Sequence, residues 1–128
     1  MANYVKIESG RRDWHVKVMP MSESIAISDV TYESLYVAYA RPSEDKRSAF
    51  ADCCQLENTI EEFFYEHSDD GAYSLGGVKS YNVFTFSYGA DFYADGQFVA
   101  RLFITKTYAT LYICDDYIGE FVSAYERI

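Results

Sequence analysis

The sequence predicts an α+β fold, with an antiparallel β-sheet of about five to seven strands packed against one long central helix and a short C-terminal helix. Three observations carry this prediction. Apolar residues alternate with period two over the first 18 residues, a single 3.6-residue pattern runs from about 44 to 67, and strand-forming segments beyond residue 81 lead into one more amphipathic stretch.

At the N-terminus, Val5 and Ile7 alternate with Tyr4, Lys6 and Glu8, while Trp14, Val16 and Val18 alternate with His15 and Lys17. The alternation on both sides of Ser9-Gly10-Arg11-Arg12 predicts a β-hairpin with a four- or five-residue loop and one apolar face on the core. Pro20, which has no amide hydrogen for a ladder, ends the second strand. Ser24 to Ser28 reads as a short strand. Ser34 to Arg41 presents Leu35, Val37 and Tyr39 on one side and reads as a strand, although Ser28 ahead of Asp29 also offers a helix cap.

The long helix follows Pro42. Ser43 is a capping residue, Glu44 and Asp45 occupy the first turn where the helix dipole favours negative charge, and Phe50, Cys53, Ile60, Phe63, Phe64 and His67 recur on one face. A bend or restart is expected at Asn58 and Thr59, two competent caps followed by Glu61 and Glu62 at capping-box spacing. Ser68 to Gly71 terminates the helix. Residues 71–80, which include Gly71, Gly76 and Gly77, read as a flexible loop. An antiparallel meander then follows: Tyr81 to Tyr88, a hairpin turn at Asp95-Gly96, Gln97 to Thr105, and Thr107 to Cys114. Beyond Asp115 and Asp116, the residues Tyr117, Ile118, Phe121, Val122 and Tyr125 are spaced for an amphipathic helix.

With 128 residues, the chain buries roughly two thirds of its unfolded surface on folding, enough for one core, and residues 1–128 are expected to form a single domain. Hydrophobic residues make up 49%, so the net charge of −9 does not signal disorder. The unusual quantity is aromatic. Thirteen Tyr, nine Phe and one Trp exceed what a core of this size holds, so many Tyr are expected at the surface. No run of about 18 apolar residues exists and the first 20 residues contain no secretory h-region, which points to an intracellular, cytoplasmic protein. Three Cys with no framework spacing agree with a reducing compartment.

Charge is segregated along the chain. Residues 1–56 carry eight acids and seven bases, whereas residues 57–128 carry 12 acids and four bases. Such a field opposes direct binding to nucleic acid and to anionic membranes, because a nucleic-acid binder neutralises phosphates with Lys and Arg.

Reaction chemistry is hard to assemble from these residues. Cys54 lies 13 residues from His67, about 20 Å along a continuous helix, so no thiol–imidazole pair forms there. The adjacent Cys53 and Cys54 lack the gap of a redox or zinc motif. Asp69-Asp70-Gly71 lacks the alternate acids and closing Glu of a calcium loop, and Gly76-Gly77-Val78-Lys79-Ser80 lacks the earlier Gly of a phosphate loop and precedes a strand. No catalytic residue, metal site or cofactor is assigned.

What remains is acid interleaved with aromatic. Glu57 to Asp70 contains six acids and no Lys or Arg, with Phe63, Phe64 and Tyr65 among them, and the association recurs at Tyr88, Asp91, Tyr93 and Asp95, and again at Asp115, Asp116, Tyr117 and Glu120. Spaced carboxylates with Tyr between them imitate a phosphate backbone to a basic groove. The expectation is a non-enzymatic inhibitor that blocks a basic, nucleic-acid-handling protein, as phage anti-defence (anti-CRISPR or anti-restriction) and toxin-immunity proteins do. Its partner-binding residues would be Glu57, Glu61, Glu62, Glu66, Asp69, Asp70, Asp115 and Asp116, with the helical acids on an outward face opposite Phe63 and Phe64. The composition leaves a homodimer open. The alternative is a small-ligand or peptide-binding, chaperone-like module with an aromatic-lined sheet.

Overall fold

The structure, a computed structural model, describes residues 3–10, 12–22, 44–81, 86–105 and 109–128, with side chains for all of these except 44–49, 78–81, 86 and 105. The elements in chain order are β1 (Asn3–Ser9), β2 (Arg12–Pro20), α1 (Glu44–Glu66), β3 (Ala72–Tyr81), β4 (Phe86–Ala94), β5 (Gln97–Thr105), β6 (Ala109–Ile113), α2 (Asp115–Ala124) and β7 (Glu126–Arg127). The fold is α+β. Seven strands form one sheet in the order β3-β4-β5-β6-β2-β1-β7, and both helices contribute to the same core.

Alternation explains how the sheet acquires its two faces. Val5, Ile7, Val16, Val18, Leu102, Ile104, Leu111 and Ile113 are fully or almost fully buried, while the residues between them point away from the helices. Register from Asn3↔Val18 to Ser9↔Arg12 leaves only Gly10 and Arg11 between β1 and β2. The expected four- or five-residue loop is therefore a two-residue connection, and Gly10 takes the left-handed conformation (φ 62°) that so tight a turn needs. Asp95 (φ 53°) and Gly96 (φ 79°) form the predicted turn between β4 and β5.

Four further expectations are corrected. Residues 72–81 are not a loop but the edge strand β3, whose backbone pairs with β4 from Ala72↔Ala94 to Tyr81↔Phe86. Tyr81 to Tyr88 is consequently not one strand, since β3 ends at Tyr81 and β4 begins at Phe86. The helix α1 runs unbroken through Asn58 and Thr59, because the Thr59 hydroxyl donates back to the Gln55 carbonyl oxygen (3.0 Å) instead of capping a new helix. The sheet also contains one parallel pair, β2 with β6, where the N-terminal hairpin meets the C-terminal meander. The Ser43 cap and the strands expected at Ser24 to Ser28 and Ser34 to Arg41 lie outside the described residues.

The buried stripe of α1 is Cys53, Leu56, Glu57, Ile60, Phe63 and Phe64, a run at spacings of three and four that packs on β1, β3 and β4. An aromatic cluster joins the helices. Phe63 meets Phe121 edge-on at 5.0 Å, and Phe64 meets Tyr117 edge-on at 5.4 Å and lies 5.7 Å from Phe92.

Candidate functional site

The C-terminal end of α1, the β4–β5 turn and the first turns of α2 converge on one acidic surface. The chain leaves α1 through Asp69 and Asp70 and is pinned to the turn in two places: the Asp70 amide donates to Asp95 Oδ1 (2.5 Å) and the Asp95 amide donates to the Gly71 carbonyl oxygen (3.0 Å). Asp115 and Asp116 occupy the first turn of α2, where negative charge complements the helix dipole. His67 Nε2 lies 3.6 Å from Glu120 Oε2, and His67 Nδ1 bonds the Phe63 carbonyl oxygen (2.8 Å). Between these elements lies a cleft of about 460 Å³ whose lining includes His67, Asp95, Phe98, Asp116, Tyr117 and Glu120.

Several of these carboxylates lie close enough to act on neighbouring Tyr hydroxyls. The Tyr117 hydroxyl is pushed up by burial first and then by the charges of Asp95, Asp116 and Asp69. Tyr125 is pushed up to about 12 by burial, with Glu66 and Glu62 adding to the shift. Glu62, Glu66, Asp69, Asp70, Asp115 and Asp116 are all exposed. Beside this set His67 Nε2 lies against Glu120 Oε2, and among the described residues no group of three or more His, Cys, Asp or Glu converges on a point that would hold a metal ion. The charge is thus spread over a surface instead of focused on a centre.

Glu57 departs from the expected outward face. It is only 8% exposed, because position 57 falls three before Ile60 and four after Cys53, within the buried stripe. Its carboxylate accepts a hydrogen bond from the Tyr88 hydroxyl on β4, and its other oxygen lies 2.8 Å from Ser74 Oγ on β3. Glu61, half-buried one turn later, lies 2.7 Å from the same Ser74 Oγ. Burial raises the Glu57 pKa; the bonds from Tyr88 and Ser74 oppose the rise and the Glu61 charge adds to it. Gly76 makes the arrangement sterically possible, since a Cβ there would collide with the Glu57 carboxylate and stand 3.0 Å from the Ala90 Cβ. This contact accounts for a glycine at position 76 in the middle of β3.

The structure also divides residues that sequence proximity had grouped. Tyr88 is in the core, with its own pKa raised by burial and by Glu57. Asp91 and Tyr93 sit on the sheet face turned away from the helices, where Asp91 pairs with Arg101 at 2.7 and 3.2 Å and Tyr93 stacks on Tyr73 at 4.9 Å. Only Asp95, beyond the end of β4, joins the acidic surface. Sequence reasoning missed Ser74 and Tyr88 as partners of Glu57 and missed His67 as the partner of Glu120. The signal available for the first was the phase of position 57 in the apolar repeat.

Of the three thiols, Cys114 lines the same cleft as His67, whereas Cys53 and Cys54 stand more than three turns before His67 along α1. Burial pushes Cys53 and Cys54 up, and Cys54 Sγ contacts the Tyr88 hydroxyl at 3.6 Å. Comparison with family models, with curated proteins and with solved structures finds no match to this chain.

Proposed function

We propose that this chain is a non-enzymatic, cytoplasmic binding protein whose acidic end docks on Lys and Arg of a nucleic-acid-handling partner and blocks it, in the manner of anti-defence or immunity proteins. The observation that supports this reading is a cleft bordered by Phe98 and Tyr117 and lined by Asp95, Asp116 and Glu120 from two separate elements, with Asp70 bonded to Asp95 at its edge and Asp69 acting on the Tyr117 hydroxyl. Carboxylates fixed at this spacing speed association with a basic surface, and the aromatic rings supply contact area at low conformational cost. Glu62 and Glu66 extend the field along α1; Glu57 is withdrawn from it by burial.

The test is affinity capture from host lysate at low and high salt, with the parent and a variant carrying Gln or Asn at positions 62, 66, 69 and 70. The parent is expected to retain basic nucleic-acid-binding proteins, with retention falling as salt rises, and the variant to lose them. Equal retention by both proteins at every salt concentration overturns the reading.

A second reading, an aromatic-lined ligand or peptide module, is favoured by a different observation. On the sheet face away from the helices, Tyr4, Lys17, Thr110 and Phe103 are successive cross-strand neighbours and line a groove of about 660 Å³ together with His15 and Tyr112. Binding there would be insensitive to the substitutions above and weakly dependent on salt.

A further inference from the structure

We propose that Glu57 and Glu61 share one proton through Ser74 at neutral pH, forming a proton-binding latch between α1 and the edge strand β3. Four contacts link five side chains: Cys54 to Tyr88 at 3.6 Å, Tyr88 to Glu57, Ser74 to Glu57 at 2.8 Å, and Ser74 to Glu61 at 2.7 Å. A neutral thiol, a phenol and a serine hydroxyl bring one hydrogen each, and an ionised carboxylate brings none. The Cys54 hydrogen serves Tyr88 and the Tyr88 hydrogen serves Glu57 Oε1. Ser74 then has a single hydrogen for two short contacts with carboxyl oxygens, so the fourth hydrogen resides on one of the two carboxyl groups. That carboxyl group donates to Ser74 Oγ, and the Ser74 hydroxyl donates to the other.

The surroundings favour the same count. Facing Glu57 are Tyr88 from β4, Ser74 from β3, and Glu61 and Cys54 from α1 itself. From β1, Ser9 meets α1 through a neutral contact with Thr59 at 3.1 Å. Arg12 of β2 acts on Cys53, and among the described side chains no Lys or Arg forms an ion pair with Glu57 or Glu61. Two ionised carboxylates one helical turn apart would repel each other, with no cation among the described side chains paired to either. Burial raises the Glu57 pKa, in the direction the latch requires.

The latch gives the protein an inverted pH dependence. The native state holds a proton that the unfolded chain, with carboxyl groups titrating near about 4.3, has released by neutral pH. Stability from this source is complete below that unfolded value and declines as pH rises toward the folded value. Above the folded value no further loss occurs.

The experiment measures denaturant unfolding from pH 5 to pH 8 for the parent and for Glu57→Gln, whose amide brings its own hydrogens to the network. The unfolding constant of the parent relative to Glu57→Gln is expected to rise about tenfold per pH unit while the native proton is held. A ratio that stays constant across the range overturns the proposal. Carboxyl-carbon NMR of the parent, labelled at Glu, supplies a second readout that needs no variant. One of the Glu57 and Glu61 signals should keep a protonated shift at pH 7; two signals titrating near about 4.3 would mean that both groups are ionised and no latch exists.

Discussion

Glu57 and Glu62 stand on the same helix within two turns of each other, in the same base-free stretch, and have opposite fates. Glu57 is buried against Tyr88 and Ser74, whereas Glu62 is exposed and contributes only its field, felt by Tyr125. Five residues separate them, which on a helix of 3.6 residues per turn rotates the second by about 140° relative to the first. Chemical type is identical. The difference teaches that helical phase, together with the neighbour across the interface, decides whether a carboxylate is a structural strut or a surface charge. The strut exists because β3 presents a hydroxyl at Ser74 and an absent side chain at Gly76.

Removing the packing frame common to both residues should have the largest effect. Phe64 is fully buried between the sheet and α2, so Phe64→Ala should cost about 3–5 kcal/mol, measured by chemical denaturation. Loss of less than about 1 kcal/mol there would mean that α1 does not pack on this face.

A sharper cut separates the two sites. Gly76→Val should destabilise by about 1–3 kcal/mol through overlap with the Glu57 carboxylate. Combining it with Glu57→Ala vacates the space, so the double variant should lose less than the sum of the single losses; strict additivity would disprove the contact. Glu62→Gln provides the control at the other site. Its stability should stay within about 0.5 kcal/mol of the parent at every pH from 5 to 8, and any effect should appear in association rates alone.

The fold class, the boundaries of α1, the Asp95-Gly96 turn, β5 and α2 were legible because each rests on local repetition: period two, period 3.6, or a turn pair requiring left-handed backbone. A local pattern also placed Asp115 and Asp116 at the head of α2. That Asp116 shares the surroundings of Tyr117 with Asp69 and Asp95 was not legible, since 20 or more residues separate them in the chain and the aromatic packing of α1 on α2 brings them together. Charge alone misled at Glu57. An acid in an apolar stripe reads as outward-facing unless its partners are known, and Ser74 and Tyr88 stand 17 and 31 residues away.

Local pattern in the sequence specifies helix and strand over most of the described chain, and the placement of the acids puts the negative charge in the second half. Tertiary structure decided the remainder: that Gly76 and Gly77 belong to a strand, that β6 runs parallel to β2, and which acids meet solvent. The physical reason is range. Backbone preference and apolar periodicity act within a turn or a hairpin, whereas burial of a carboxylate depends on hydrogen-bond donors and free volume supplied by residues distant in sequence, and those are specified only when the sheet is assembled.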